Sequence, residues 1–198
     1  MKTLYIERST GSYRDGNWVE SLDLDGVTRI VVGTGPGSFA GIRSALAFAQ
    51  GYALGRPCEV MGLPSACALA AQAFAGTPPA SAKLAVIGDA RQGKLWVALF
   101  DGFWLERPIF QINQPELRGT VPSESGAIDS TRWQSIAAEY FVVTPDESRI
   151  GEELRAAFGN YYLGGLSPTA EGLQRFAEAC PSILVREPLP IYLNPAVR

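Results

Sequence analysis

The chain contains no histidine among its 198 residues, and this absence excludes more chemistry than any other. Without an imidazole side chain there is no Ser-His-Asp or Cys-His catalytic relay. A His-ligated zinc site and a histidine-based pH switch are excluded for the same reason. The sequence therefore disfavours the hydrolases and zinc enzymes that depend on this residue.

Cysteine is also scarce. The three cysteines are Cys58, Cys67 and Cys180, and no two of them form a C-x-x-C pair. Their odd number and scattered positions are typical of reduced thiols in a cytosolic protein. We expect them to serve as small buried apolar residues without a chemical role.

Neither long apolar runs nor an excess of positive charge is present. Arg43, Gln50 and Gly51 interrupt the longest apolar stretch, and Glu7 and Arg8 stand where a signal peptide would need an apolar core. The net charge of -3 gives no general attraction to nucleic acid or to anionic membranes. We expect a cytoplasmic globular protein without a membrane segment, one that meets nucleic acid only through a partner's charge.

Strands and helices alternate along the chain. The predicted strands are Lys2–Ile6, Val27–Val32, Glu59–Gly62, Leu84–Gly88, Lys94–Phe100, Arg107–Ile112, Tyr140–Thr144 and Asn160–Leu163. The predicted helices are Phe39–Leu54, Ser65–Phe74, Thr131–Glu139 and Arg149–Phe158, the last with Ile150, Leu154 and Ala157 inward. A further helix is predicted to end at about Cys180, with Ser167 as its N-cap and Pro168 in its first turn. Ser12–Arg14 and Trp18–Leu22 are predicted to form a further hairpin around Asp15–Asn17. This order predicts an α/β protein of two similar layered lobes, each beginning with an antiparallel hairpin.

A glycine-rich loop joins the second predicted strand to the first helix, and its residues are Gly33, Gly35, Pro36, Gly37 and Ser38, with Thr34 between the first two. A strand, such a loop and a helix N-terminus together form the geometry that binds anions. However, Ser38 replaces the last glycine of a dinucleotide fingerprint, and no lysine of a phosphate loop lies between Lys2 and Lys83. The pattern favours a sharp, closely packed turn over an anion site.

The helix that follows has two rows of small residues. Ser38 is placed to cap it and Gly55 to end it. One apolar stripe consists of Phe39, Ile42, Leu46, Ala49 and Ala53. One small-residue row consists of Gly41, Ala45, Ala49 and Ala53, and the other of Ala47, Gly51 and Gly55. Such rows let a second backbone come close, which predicts tight packing on a sheet, on another helix or on another chain.

Two carboxylates are candidates for catalysis. Glu7 ends the first strand and Asp89 precedes the hairpin turn, so both are candidates to point into a cleft between the lobes. A solvated turn residue is the commoner fate of an acid at a strand end. Arg91 and Lys94 are interpreted as exposed hairpin positions. The residues by themselves lead to a cytosolic α/β protein with a tight loop and a small-residue helix.

Four segments carry a family likeness. Gly33–Arg43 closely resembles the Gly-Pro-Gly-Ser-Phe-Thr-Gly-Leu-Arg signature of the bacterial TsaB (YeaZ) family. Gly62–Ser65 resembles the start of the family's next helix, Asp89–Phe100 its Asp-Ala-Arg hairpin, and Pro190–Leu193 its Pro-x-Tyr-Leu-Arg tail. Together these segments cover about a sixth of the chain and spread over most of its length, which makes the likeness more specific than a lone motif.

The resemblance implies an actin-like ATPase (ASKHA) fold of two RNase-H-like lobes: a shortened first lobe at residues 1–62 and a second at 63–198, with a boundary near residue 100 as the alternative. It also implies a non-catalytic scaffold, with no catalytic residue, metal or cofactor of its own. The implied partners are a TsaD-type paralogue, which binds metal and nucleotide, and a TsaE-type ATPase. Their assembly places threonylcarbamoyl on N6 of adenosine 37 of tRNA, which this chain would meet only through the complex.

Departures from the family pattern accompany the likeness. Only Asp23–Gly26 separates Leu22 from Val27, so the amphipathic helix that family members carry there is missing. Ala40 replaces a Thr, Asn194 replaces an Arg, and Glu7 takes the position of an Asp that phosphate-binding relatives of the fold use near the metal. Because the missing helix forms part of the family's dimerisation surface, we expect the helix 39–54 to be either more exposed or differently covered.

The resemblance places the interface on the helix 39–54, at Phe39, Arg43, Ala47, Gln50, Gly51 and Leu54. Either the TsaD-type paralogue or a second copy of the chain is a candidate occupant. Three other functions remain as alternatives: an ATP-binding phosphotransferase that uses Glu7, Asp89 and Gly35–Gly37, a diverged relative that only self-associates, and a peptidase. The peptidase is the least favoured, because no His pair is present to hold zinc.

Overall fold

The structure is a computed structural model that describes residues 2–10, 18–76, 82–106, 109–113 and 139–193. The strands are β1 (Lys2–Ile6), β2 (Val27–Gly33), β3 (Glu59–Leu63), β4 (Lys83–Arg91), β5 (Lys94–Asp101), β6 (Trp104–Leu105), β7 (Phe110–Asn113), β8 (Phe141–Thr144), β9 (Tyr162–Gly165) and β10 (Val185–Arg186). The α-helices are α1 (Phe39–Ala53), α2 (Ser65–Phe74), α3 (Glu147–Phe158) and α4 (Ala170–Ala179). Short 3-10 helices cover Trp18–Ser21, Gly159–Tyr161 and Pro181–Ile183. The predicted α/β class is confirmed.

The first of two units comprises Met1–Ala71 and Pro168–Tyr192. Its four-stranded sheet has the order β1-β2-β3-β10, with the first three strands parallel and β10 antiparallel to β3. Ile30, Val31 and Val32 of β2 are fully buried, as expected for a β-branched run in a central strand. The parallel strands β2 and β3 both end where the glycine loop begins.

Helices close the core of this unit. Ile42, Ala45 and Leu46 of α1 form a buried cluster with Ile30 and Val32 of β2. On α4, a Cβ at Gly172 would lie 2.6 Å from the carbonyl oxygen of Ala68, so only glycine lets α4 approach the backbone of α2 this closely.

The second unit comprises Gln72–Ser167 and residues 193–198. The hairpin β4–β5 is antiparallel, β6 and β7 add to β5, and β8 and β9 continue the sheet beyond β4 in parallel. Its core joins Ile87 and Val97 of the hairpin to Ile150, Leu154 and Phe158 of α3. The predicted third antiparallel strand is present as β7.

The observed division differs from the predicted one. Residues 63–71 and 168–192, which were predicted to follow residue 62 into a second lobe, group with the first unit. The alternative boundary near residue 100 falls inside β5. The chain leaves the first unit within α2 and returns to it at Pro168, because α4 packs on β1 and β10 pairs with β3. A single cut in the sequence does not describe this arrangement.

Three local predictions were wrong. Trp18–Ser21 is a 3-10 helix rather than a strand, and β1 pairs in parallel with β2. Thr169, not Ser167, caps α4, since its hydroxyl accepts a hydrogen bond from Gly172 N at 3.1 Å. On α3 the buried residues are Ile150, Gly151, Leu154 and Phe158, and Ala157 is exposed.

Other predictions lie outside the described residues. These are the first arm of the hairpin at 12–14, its turn at 15–17, the helix at 131–138 and Asn194. In the part of the chain that the structure describes, no helix is long and apolar enough to cross a membrane.

Candidate functional site

The glycine loop connects the end of β2 to the start of α1, and three of its backbone amides bond to other segments of the chain. Thr34 N donates to the carbonyl of Leu63 at 2.9 Å, and Gly35 N donates to Ser65 Oγ at 3.0 Å. Ser38 N donates to the carbonyl of Ser9. Pro36 has no N–H to donate. These donors hold neighbouring segments of the protein rather than facing an open anion position.

The three glycines of the loop are required by close approach. A Cβ at Gly33 would overlap the carboxylate of Glu7, and one at Gly37 would overlap the carbonyl of Ser9. Gly35 has φ +92°, and a Cβ there would lie 2.7 Å from Ile42 Cδ1. The loop is therefore packed tightly against three parts of its own unit.

Glu7 lies beneath this loop rather than in a solvated turn. Its Oε1 accepts a hydrogen bond from Ser9 N at 2.6 Å, and the carbonyl of Ser9 in turn accepts from Ser38 N. Its Oε2 is buried without a hydrogen-bond partner. Burial raises the pKa of the Glu7 carboxyl, and the hydrogen bonds from Ser9 oppose that rise. This carboxyl thus holds Ser9, whose carbonyl in turn bonds to Ser38 at the start of α1.

Helix α1 begins and ends as its sequence predicts. Ser38 Oγ accepts a hydrogen bond from Gly41 N at 3.3 Å, which caps the N-terminus. At the other end Leu54 N donates to the carbonyl of Gln50 at 3.2 Å, and Gly55 follows at φ +72°. These caps fix the length of the helix at Phe39–Ala53.

The two small-residue rows of α1 have different environments. Gly41, Ala45 and Ala49 are buried, whereas Ala47 and Gly51 are exposed. A Cβ at Gly51 would meet no atom within 4 Å. The residues predicted to form an interface are all exposed, at helical spacing along one side of the helix: Phe39, Arg43, Ala47, Gln50, Gly51 and Leu54. We call this side the outer face of α1.

One flank of α1 is covered by the segment between β1 and β2. The ring of Trp18 packs edge-on against Phe48 with centroids 5.4 Å apart. The hydroxyl of Tyr52 donates to the carbonyl of Leu24 at 3.0 Å. Trp18 and Leu24 thus cover the flank that Phe48 and Tyr52 occupy, whereas the residues of the outer face are exposed.

The segment Val185–Tyr192, which we call the C-terminal segment, also reaches the loop. Pro188 packs on Gly62, where a Cβ would overlap its ring, and Ile191 N donates to the carbonyl of Thr34 at 2.8 Å. The ring of Tyr192 lies 5.4 Å from that of Phe39. No local sequence pattern predicts these contacts, although Pro190–Leu193 carries a weak family likeness.

Asp89 lies in the second unit, within an ion-pair network. Its backbone N donates to Asp146 Oδ2 at 2.8 Å, and its Oδ2 lies 3.1 Å from Arg149 Nε and 3.4 Å from Arg91 Nη1. Arg149 also pairs with Asp146. Two arginines thus balance two aspartates, so Asp89 is not a simple solvated turn residue. Arg91 is exposed as expected, and Lys94 is half-buried.

The cysteines are free thiols. Cys67 is buried, and burial raises the pKa of its thiol, while Cys58 and Cys180 are half-buried. Within the described ranges no group of three acidic or cysteine side chains is placed to hold a metal ion.

Comparisons with known proteins agree with this architecture. Residues 20–103 match the family described as TsaD: tRNA N6-adenosine threonylcarbamoyltransferase. A comparison with curated protein sequences gave no significant match. Among solved structures, YeaZ from Pseudomonas aeruginosa is 22% identical, with a TM-score of 0.60 over 88% of this chain and 78% of that one. A crystal structure described as an uncharacterised protein with similarity to peptidase YeaZ from Pseudomonas aeruginosa is 21% identical, with a TM-score of 0.60 over 89% of this chain and 78% of that one. The resemblance seen in the sequence is confirmed, and the chain has the YeaZ fold, an α/β fold of the actin-like ATPase type.

Proposed function

We propose that this chain is a non-catalytic subunit of an assembly that places threonylcarbamoyl on N6 of adenosine 37 of tRNA, and that the outer face of α1 binds a TsaD-type paralogue. The observation that carries the proposal is the exposure of this face on an otherwise well-capped, well-packed helix. The match of residues 20–103 to the TsaD family supports the link to this modification, and the YeaZ fold agrees with it.

The shape of the outer face suits the approach of another helix. Ala47 and Gly51 lie near its middle and leave space, while Phe39 and Leu54 at its ends are 55% and 79% exposed. Small central residues let two helix backbones come close, and large apolar ends contribute about 25 cal/mol per Å² of apolar surface that they bury. An exposed apolar surface of this kind is typical of a protein–protein contact.

The glycine loop has a positioning role in this proposal. Its amides at Thr34, Gly35 and Ser38 are bonded to Leu63, Ser65 and Ser9. These bonds hold the first turn of α1 in a fixed place, so that Phe39 and Arg43 are presented to a partner without a large ordering cost. In this proposal Gly33, Gly35, Pro36, Gly37 and Ser38 serve the interface and bind no nucleotide.

The remaining partners follow from charge and from the family. With a net charge of -3 the chain supplies no basic excess, so in this proposal tRNA binds through the other subunits. A TsaE-type ATPase completes the assembly, which acts in the cytoplasm.

The test is binding to the TsaD-type paralogue of the same organism. Wild-type protein should bind it in calorimetric titration and co-purify with it. Ala47→Trp adds a bulky ring to the middle of the outer face. Overpacking of about 1–3 kcal/mol should weaken this binding about 5-fold to 150-fold. In a strain depleted of its own TsaB, wild-type protein should restore the tRNA modification, read by mass spectrometry, and Ala47→Trp should not.

Ala157→Trp is the matched control, because Ala157 is an exposed alanine on a helix of the other unit. It should bind the paralogue as wild type does. If folded wild-type protein fails to associate at tens of micromolar, or if Ala47→Trp binds as tightly as the control, the proposal is wrong.

A further inference from the structure

The exposed large apolar side chains of the first unit are concentrated in two places. Among its described residues they are Phe39 at 55%, Leu54 at 79%, Val185 at 57%, Leu189 at 78% and Tyr192 at 55%. The first two lie at the two ends of α1, and the other three lie on the C-terminal segment. Such a concentration, rather than single scattered residues, marks an interaction surface.

The C-terminal segment is held in place by its own unit. Val185 and Arg186 pair with β3, Pro188 is buried against Gly62, and Ile191 N bonds to Thr34. Leu189 and Tyr192 therefore project from a fixed backbone. Because Tyr192 packs on Phe39, their apolar surface is continuous with the outer face of α1.

Arg43 supplies a charge without a counter-charge at this surface. Its guanidinium carbon lies 4.9 Å from the centre of the Phe39 ring, and it has no carboxylate partner in the described chain. Most other described arginines have one: Arg29, Arg91, Arg149, Arg155, Arg175 and Arg186. A carboxylate from another molecule would form with Arg43 the kind of ion pair that these arginines form within the chain.

A stable interface also needs more surface area than the outer face of α1 provides. The outer face of a helix of 15 residues is about 22 Å long and about 10 Å wide. Specific interfaces bury about 800 Å² on each partner, which is several times the area of this face. The C-terminal segment is the adjoining apolar surface that can supply part of the difference.

We propose that the outer face of α1 and the C-terminal segment form one composite docking surface for a different protein, which presents an apolar helix face with an Asp or Glu beside Arg43. This inference rests on the proposed function and names the chemistry of the partner. Pairing of α1 with α1 of a second copy fits less well, because α1 contains no Asp or Glu and the one acid of the composite surface, Glu187, lies on the C-terminal segment.

The test compares charge substitutions inside and outside the surface, with the purified TsaD-type paralogue as the probe. Leu189→Asp and Arg43→Glu should each weaken binding about tenfold, the first by placing a charge in an apolar contact and the second by reversing a charge pair. Leu163→Asp, on an exposed leucine of the second unit, should bind as wild type does. Tyr192→Ala, a milder change, should weaken binding without adding charge. Unfolding curves verify that each variant is folded.

The outcomes separate this inference from the proposed function. If Ala47→Trp weakens binding as expected while Leu189→Asp and Arg43→Glu bind normally, the composite surface is overturned and the proposed function stands. If folded wild-type protein does not bind the paralogue, both are overturned. If wild-type protein is instead a dimer that Leu189→Asp converts to a monomer, the occupant is a second copy, and the heterologous partner is rejected.

Discussion

Gly35 and Gly51 are glycines for different reasons, and substitution separates them. Gly35 has φ +92° and lies against Ile42, so Gly35→Ala adds both backbone strain and a steric overlap. It should lower the free energy of unfolding by about 1–3 kcal/mol. Gly51 is inside a helix and faces open space, so Gly51→Ala should raise the free energy of unfolding by about 0.5–1 kcal/mol. Urea unfolding followed by circular dichroism measures both values.

Each glycine variant serves as the control of the other. Equal stability changes in the two variants would show that the loop tolerates a side chain, and the tight packing described around Gly35 would be contradicted.

Glu7 gives a pH-dependent prediction. Burial raises its pKa above the ordinary 4.5, so the folded chain holds this proton more tightly than the unfolded chain. The contribution of Glu7 to stability therefore falls as the pH rises from 4.5 through the raised pKa, and it remains unfavourable above that value. Glu7→Gln stays neutral and should melt at a higher temperature than wild type at neutral pH. The difference should shrink as the pH approaches 4.5.

Thermal melts across this pH range measure the effect. Glu152→Gln, on an exposed position of α3, controls for the change in net charge. A Glu7→Gln difference that stays constant with pH would mean that the buried carboxylate carries no penalty.

Individual site residues were predictable to different degrees. The exposure of Ala47, Gln50 and Leu54 follows from helical spacing once Ile42 and Leu46 are placed inward. The position of Glu7 beneath the loop was not predictable, since it depends on Ser9 and Gly33, which come together only when β1 and β2 pair. The contact of Tyr192 with Phe39 joins residues distant in sequence and leaves no local pattern.

At the scale of elements, the N-cap of α4 offers a test. Thr169 Oγ1 accepts from Gly172 N, whereas Ser167 lies before the helix and is exposed. Thr169→Ala should lower the free energy of unfolding by about 1 kcal/mol. Ser167→Ala should leave it unchanged, and denaturant unfolding distinguishes the two. If Ser167→Ala loses more stability than Thr169→Ala, then Ser167 is the cap, as the sequence pattern predicted.

Elements with a strong periodic or β-branched pattern were predicted well. The strand β2, the helix α1 and the hairpin β4–β5 lie close to their predicted bounds. Trp18–Ser21 was not, because a turn group beside an aromatic residue predicts a hairpin arm. Here the Trp18 ring packs on Phe48, and the backbone forms a 3-10 helix instead. Tertiary packing decides the conformation of such a short segment.

At the scale of the whole molecule, the α/β class was predictable and the division into units was not. Alternation of strands and helices indicates layered sheets without specifying which strands share a sheet. The return of the chain to the first unit depends on β10, which is only two residues long, and on the packing of α4 against β1. Neither feature has a sequence pattern strong enough to predict it.

The return of the chain at Pro168 also sets an order of events during synthesis. A ribosome makes β1, β2, β3 and α1 early, but β10 and Ile191 emerge only after all of Gln72–Ser167 has been translated. The second unit is nearly continuous in sequence and is the part suited to folding while translation proceeds. The first unit gains its fourth strand and the bond to Thr34 after the second unit has been made, so a nascent chain completes the Phe39–Tyr192 contact only once Gln72–Ser167 has been translated.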